Sequence, residues 1–266
     1  MLDRPDPATA AALARLYDLD LLDDPGDLDL YLALADRADG PILELAAGTG
    51  RLAVPLAEAG HRVTAVDLDP AMLGRARDRA AAAGVGADRL TLVEADLIGL
   101  RLPDAGTYQL AIIALNSLML LGTRAGQRAA LETMAAHLAP GGIAVVDVWL
   151  PDAEDLARFD GRVILEWPRT DPETGHVVTK AGSAQHDAAT GTVALTSLYE
   201  AGPQGGATVR WVRHDRLRLV GADELAGFAE AAGLSVEVIA GGYDLGALGP
   251  GAERAVLIAI RPDEGT

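Results

Sequence analysis

The 266-residue sequence predicts an α/β fold, a mostly parallel sheet flanked by helices and carrying an inserted antiparallel hairpin sheet. Three observations predict it. Short apolar segments without polar alternation recur between Ala-rich helical stretches, the pattern of strands buried on both faces. Near Pro151 the texture changes to alternating, β-branched segments broken by turn signals, which is how hairpins read. Beyond them a helical stretch and two strand-like runs return, so the parallel-sheet part resumes after an insertion.

In order along the chain, residues 1–40 are expected to form an N-terminal helical cap. Strands are expected at 41–45, 61–66, 90–93, 110–114 and 143–148, and the stretches 52–59, 71–83 and 124–138 between them have helical spacing. From 162 to 219 the turn signals Asp171-Pro172-Glu173-Thr174-Gly175, Asp187-Ala188-Ala189-Thr190-Gly191 and Pro203-Gln204-Gly205-Gly206 separate four strands. Residues 222–232 have amphipathic spacing and Gly233 stops the helix; strands are expected again at 235–239 and 255–260. The domain reading is therefore 1–40, then 41–160 with 220–266, with 161–219 as the antiparallel insertion.

Charge narrows the partners. Against 39 Asp plus Glu stand 22 Lys plus Arg, a formal net charge of −17, and Lys180 is the sole lysine. A chain so acidic is repelled by phosphate backbones and anionic membrane surfaces, so neither nucleic acid nor membrane is expected as a partner. Half the residues are hydrophobic, which excludes disorder. The absence of cysteine removes disulfides, thiolate nucleophiles and Cys-ligated metals, and fits a cytoplasmic setting. Met1 to Ala10, with Asp3 and Asp6 and no apolar core, does not read as a secretory leader.

The chemistry-bearing stretch is Ile42-Leu43-Glu44-Leu45-Ala46-Ala47-Gly48-Thr49-Gly50-Arg51-Leu52, a strand ending in a glycine turn that opens a helix. Glycines there let the backbone approach a ligand closely. Asp67 ends the next strand, where an acid can accept both hydroxyls of a ribose, and Asp96 ends the third. Gly48-Thr49-Gly50-Arg51-Leu52-Ala53 also satisfies the GxGxxG/A pattern of dinucleotide sites, which keeps a nicotinamide-dependent oxidoreductase open as a rival.

On these residues the sequence resembles the class I S-adenosylmethionine-dependent methyltransferases. Glu44 to Gly50 looks like the family's acidic-x-Gly-x-Gly-x-Gly loop, Asp67 like its ribose acid, and Asp96 with Leu97 like its adenine-recognising pair. Leu138-Ala139-Pro140-Gly141-Gly142 resembles the turn before its fifth strand. Ala46 stands where the first glycine usually does, so its methyl is expected to crowd the methionine part of the cofactor. The resemblance implies a Rossmann-like seven-stranded sheet with the last strand antiparallel, and S-adenosyl-L-methionine across the carboxyl ends of strands one to four. Its cofactor residues would be Tyr17, Glu44, Ala46, Gly48, Gly50, Arg51, Asp67, Leu68, Met72, Asp96, Leu97 and Leu115.

Methyl transfer from a sulfonium is an in-line displacement that mainly needs alignment and exclusion of water. Asn116 follows strand four, where this fold places the reacting centre, and competes with a reading as a helix cap. That stretch lacks an Asn/Asp-Pro-Pro-Tyr/Phe motif, and without cysteine a covalent thiolate route is excluded. Candidates for general base or lid are Asn116, Tyr17, His186 and His214; candidates for substrate contact are Asn116, Tyr199, Trp211, Arg213 and Tyr243. On the last insertion strand Val209, Trp211, Arg213, Asp215 and Leu217 share one face by the two-residue period, the expected inward one. His137 reads as a cap of a helix C-terminus. Asp18, Asp20, Asp23, Asp24, Asp27 and Asp29 lack the central Gly and terminal Glu of a calcium loop, so they read as solvated surface and caps and no metal is expected. The insertion resembles that of bacterial small-molecule N- and O-methyltransferases, including those acting on amino sugars, which implies a cover over the acceptor or a homodimer contact. A non-catalytic binding module on the same fold is the remaining alternative.

Overall fold

In the computed structural model, which describes residues 5–23, 25–203 and 205–263, eleven strands form two separate sheets. Asp24 and Gln204, named above in the acidic run and in a turn signal, lie outside the described residues, as does Asp3. The chain divides into two units, Pro25–Leu150 with Val220–Thr266, and Met1–Asp24 with Pro151–Leu219.

The first unit holds the seven-stranded sheet. Its strands are β1 (Ile42–Leu45), β2 (Val63–Asp67), β3 (Leu90–Glu94), β4 (Tyr108–Ile113), β5 (Leu138–Trp149), β10 (Ser235–Ala240) and β11 (Arg254–Ile260), in the order β10-β11-β5-β4-β1-β2-β3. All neighbours pair parallel except β11, which runs antiparallel to both β5 and β10. All four β1 residues are buried, as a central strand covered on both faces requires. Helix starts follow their caps: Asp69 accepts from the Ala71 amide (2.8 Å) ahead of α4 (Pro70–Ala82), and Thr123 from Gly126 (3.0 Å) ahead of α5 (Arg124–His137). α2 (Leu28–Ala38), the short α3 (Ala53–Glu58) and α7 (Ala222–Ala231) complete the unit, with a 3-10 turn at Ser117–Leu121 after β4.

One boundary differs from expectation. The Pro140-Gly141-Gly142 segment lies inside β5, which starts directly from α5 at Leu138 and pairs there with Tyr108. Glycine makes this possible. Gly141 sits at φ 77°, and a Cβ on Gly142 would stand 2.9 Å from both the Ala139 and Tyr108 carbonyl oxygens.

The second unit is the insertion, an antiparallel sheet β6-β7-β8-β9 of Asp160–Thr170, Val177–Asp187, Thr192–Gly202 and Val209–Arg218. Leu16 and Leu19 of α1 (Pro7–Asp20) cluster with Val178, Tyr199 and Ala201 of the sheet, and Trp167 and Trp211 pack alongside. The 40 residues expected as one cap are thus divided, α1 falling in this unit and α2 in the other. Their apolar faces explain the split, since Leu30, Tyr31, Leu34 and Ala35 of α2 belong to the parallel-sheet core. A short helix α6 (Ala153–Arg158), opened by an Asp152/Asp155 capping box, also falls within the insertion unit. No helix among the described residues is long and apolar enough to cross a membrane.

Candidate functional site

The loop after β1 alternates its backbone hand. Ala46, Gly48 and Gly50 take φ values of 57°, 57° and 74°, the left-handed region that favours glycine. At Gly50 space also demands glycine, because an added Cβ would meet Ala76 Cβ at 3.0 Å and Val54 Cγ2 at 3.1 Å. Asp67 at the end of β2 clamps the loop. Its Oδ2 accepts from the Gly48 amide at 2.7 Å and its Oδ1 from the Asp69 amide at 2.8 Å. Burial, the largest influence, pushes the Asp67 carboxyl above its ordinary range despite the backbone amides of Asp69, Gly48 and Leu68.

Glu44 is the most unusual group in the site. The residue is buried on β1, and its Oε2 has no hydrogen-bond partner among the described residues. Burial pushes its carboxyl up to about 8, and the nearby Arg51 charge opposes that only in part. An orphaned buried carboxylate oxygen costs free energy unless a donor completes it, and a cation would complete it best. The Arg51 guanidinium is already engaged, in two bonds to Asp27 (Nη1–Oδ1 2.6 Å, Nη2–Oδ2 2.7 Å).

The other expected cofactor positions lie along the same strand ends. Leu68 is half exposed after β2, and Met72 is partly buried in the first turn of α4. Asp96 is exposed and accepts from the Ile98 amide at 2.8 Å; Leu97 beside it is buried and Ile98 is open to solvent. After β4, Leu115 and Asn116 are both left-handed, at φ 48° and 65°. Asn116 precedes the 3-10 turn without capping it; its Oδ1 instead accepts from the Trp149 amide at 2.5 Å.

A residue missed in the sequence lies behind that turn. Asp147 of β5 is fully buried and receives four donors: Tyr31 hydroxyl (2.6 Å) and Leu115 amide (2.9 Å) on Oδ1, Tyr243 hydroxyl (3.0 Å) and the Arg254 guanidinium on Oδ2. Tyr243, expected near substrate, therefore spends its hydroxyl on Asp147, with Arg254 over its ring at 4.8 Å. Burial and the Asp147 charge push Tyr31 and Tyr243 well above the ordinary phenol range, so both remain donors. A single carboxylate inside the apolar run Ala144-Val145-Val146-Asp147-Val148 was the signal available.

Two expectations about polar residues need correction. The acidic run is not merely solvated surface: Asp27 is fully buried against Arg51, Asp20 accepts from Lys180 Nζ (2.6 Å) and Trp167 Nε1 (3.0 Å), and Asp23 pairs with Arg169. No cluster of potential metal ligands occurs among the described residues. His137 does more than cap a helix end: it is buried, with Nδ1 donating to the Thr133 carbonyl (2.7 Å), because Nε2 accepts from the Leu102 amide (3.2 Å).

The remaining candidates, Tyr17, His186, Tyr199, Trp211, Arg213 and His214, all belong to the insertion unit. Tyr199 is buried beneath Lys180, and Arg213 is paired with Asp215 (Nε–Oδ2 2.7 Å). Trp211, Arg213 and Asp215 are more covered than Arg210, Val212, His214 and Arg216, as the two-residue period predicted. His214 Nδ1 is 3.1 Å from Thr196 Oγ1 on the exposed face, and the His186 amide bonds the Phe159 carbonyl.

Residues 42–142 match a family model described as a methyltransferase domain. Over 49 residues the chain is 54% identical to uncharacterised proteins of Mycobacterium bovis and Mycobacterium tuberculosis, a match spanning 18% of this chain and 18% of those relatives. Among solved structures it is similar to an S-adenosylmethionine-dependent methyltransferase from Clostridium acetobutylicum, at 17% identity and TM-score 0.78 over 95% of this chain and 98% of that one. It is also similar to the CcbJ methyltransferase from Streptomyces caelestis (25%, TM-score 0.73, 92% and 96% covered). A third is CalS10, an amino pentose methyltransferase from Micromonospora echinaspora solved with S-adenosylmethionine bound (22%, TM-score 0.68, 92% and 96% covered).

Proposed function

We propose that this chain, which has the class I S-adenosylmethionine-dependent methyltransferase fold with an antiparallel insertion after its core sheet, methylates a small-molecule acceptor at O or N by direct in-line displacement. When bound, S-adenosyl-L-methionine supplies an electrophilic methyl on a sulfonium. The observation that carries the reading is the buried, unpartnered Oε2 of Glu44, which suits the ammonium of the cofactor's amino-acid end. Gly48 and Gly50 let the loop backbone approach a ligand closely, and Asp67, at the end of β2 beside the loop, is the acceptor assigned to the ribose hydroxyls. Asp96 and Leu97 would hold the adenine, with Leu68, Met72 and Leu115 lining the remainder, and Ile98 adds an exposed apolar side chain beside Asp96. Arg51, held in place by its bonds to Asp27, tempers the Glu44 carboxyl directly by its positive charge.

The same Glu44 disfavours the nicotinamide reading, because its unpartnered Oε2 is best completed by a cation, which an ammonium supplies and a pyrophosphate does not. In the parallel-sheet unit acceptor recognition is assigned to Asn116, Tyr243 being committed to Asp147; in the insertion, taken by itself, Tyr199, Trp211 and Arg213 are the candidates for acceptor contact, Tyr17 for a lid and His186 or His214 for a base. The insertion is assigned to acceptor cover or to a subunit contact. The amino pentose methyltransferase among the similar structures supports a small acceptor, and the charge of −17 favours a neutral or cationic one over a polyanion. The cysteine-free composition fits a cytoplasmic site of action.

Calorimetry with S-adenosylhomocysteine tests the reading. Micromolar binding is expected, weakened at least tenfold by Asp67→Ala, which releases the Gly48 amide. Binding of NADH in its place, or indifference to Asp67→Ala, would overturn it. Binding without transfer to any of a broad panel of small amines and alcohols would favour a non-catalytic module.

A further inference from the structure

The turn after β4 holds two consecutive non-glycine residues in the left-handed region, an arrangement that persists only where surroundings impose it. β5 imposes it. The Leu115 amide donates to Asp147 Oδ1 (2.9 Å), the Asn116 amide to the Asp147 carbonyl (3.3 Å), and Asn116 Oδ1 accepts from the Trp149 amide (2.5 Å). Asp147 is itself immobilised. Tyr31 from α2, Tyr243 from the segment after β10 and Arg254 from β11 fill its remaining acceptor sites, so four segments fix one carboxylate.

Fully satisfied and fully buried, this carboxylate has no capacity left for a ligand. We propose that Asp147 is the positioning residue of the methyl-transfer centre: it aims the Leu115–Asn116 turn at the reacting end of the cofactor, and Tyr31, Tyr243 and Arg254 hold it in register. The proposal rests on the methyltransferase reading above and adds to it the group that aligns the acceptor side of the site.

Two probes separate the proposal from its premise. S-adenosylhomocysteine lacks the transferable methyl, whereas sinefungin carries an amine-bearing carbon where the methylated sulfur would be. Wild-type protein should bind both by calorimetry; binding of neither sinks the premise, not the assignment of Asp147. In Asp147→Asn, sinefungin affinity should fall about tenfold while S-adenosylhomocysteine affinity stays within about threefold. Adding Leu115→Gly to that variant should restore the ratio of sinefungin to S-adenosylhomocysteine affinity, since glycine holds the left-handed turn unaided and the lost Leu115 lining contact falls on both probes alike. A general structural role would weaken both probes equally and gain nothing from the glycine, and either outcome overturns the proposal, as does an Asp147→Asn protein that binds both like wild type. If Asp147→Asn fails to fold by circular dichroism, Tyr31→Phe decides: it removes one donor without changing charge and should cost sinefungin about threefold selectively. An equal effect on both probes, or none, overturns the proposal.

Discussion

At the end of β1 the Glu44 carboxyl is raised from its ordinary 4.5 to about 8, with burial as the main cause. The folded state therefore binds more protons at this position than the unfolded state between those two values. Its contribution to stability is fully present below about 4.5 and is lost as pH rises through 8. Glu44→Gln should remove that slope: between pH 5.5 and 8.5 the urea midpoint of wild type should fall relative to the variant's. Ligand binding reverses the sign. An ammonium on Oε2 favours the charged carboxylate, so S-adenosylhomocysteine binding at pH 7 should release up to about one proton, read as a buffer-dependent calorimetric enthalpy. Parallel denaturation slopes in variant and wild type, with no proton release, would remove Glu44 from this role. Two positions along, Ala46 bears a different cost. The sequence alone suggested that its methyl crowds the methionine end; the φ of 57° adds that alanine here is strained in the backbone, by about 1 kcal/mol.

α1 and the insertion sheet are held by the chain's sole lysine. Lys180 Nζ lies 2.6 Å from Asp20 Oδ2 on α1 and 2.8 Å from Glu166 Oε2 on β6. Burial alone would lower Lys180, but the two carboxylates outweigh it and hold the ammonium charged. Gly182 gives Glu166 its seat, since a Cβ there would collide with Glu166 Oε1. Lys180→Met should leave the two acids facing each other at a cost of about 2 kcal/mol. That is less than for a fully buried pair, because their side chains are 28% and 33% exposed. The measurement is amide exchange: protection across residues 7–20 should drop while β1 and β2 stay protected, and unchanged protection in α1 would refute the tether. This tie also shows where legibility in the sequence stopped. Parallel strands, hairpins and the glycine loop were readable because period, turn residues and spacing are local signals. That α1 packs on strands more than a hundred residues later is not local, nor is the convergence of Tyr31, Tyr243 and Arg254 on Asp147, so the first 40 residues were read as one cap and Asp147 was passed over. The acids Glu44, Asp67 and Asp96 stood out as candidates because each lies at or near the end of a strand beside a motif; Asp27 and Asp20 were misread because an acidic run carries no mark of which members find an arginine or a lysine.

Across the whole molecule, the charge of −17 and one apolar sheet edge oppose each other. β6 is an edge strand, and its consecutive Val163, Ile164 and Leu165 are 60%, 63% and 67% exposed, with apolar side chains on both faces. Edges of that kind are normally blunted by charge or covered, so the composition favours pairing with a second copy. Antiparallel pairing centred on Ile164 would set Val163 against Leu165 and Arg162 against Glu166 of the other subunit, an apolar centre flanked by opposite charges. Register irregularities bound this three-residue stretch on either side, with a second regular run at 167–170 beyond, which keeps the apolar contact short and specific. Two chains of like charge repel, so the sign of the salt effect follows: the dimer should tighten as ionic strength rises from about 0.01 M, where the screening length is about 30 Å, to 0.15 M, where it is about 8 Å. Light scattering across that range should show a salt-strengthened dimer, and Ile164→Lys should be monomeric throughout while still binding S-adenosylhomocysteine. A wild-type chain that stays monomeric at tens of micromolar in 0.15 M salt, or a dimer that salt dissociates, would place the subunit contact elsewhere or remove it.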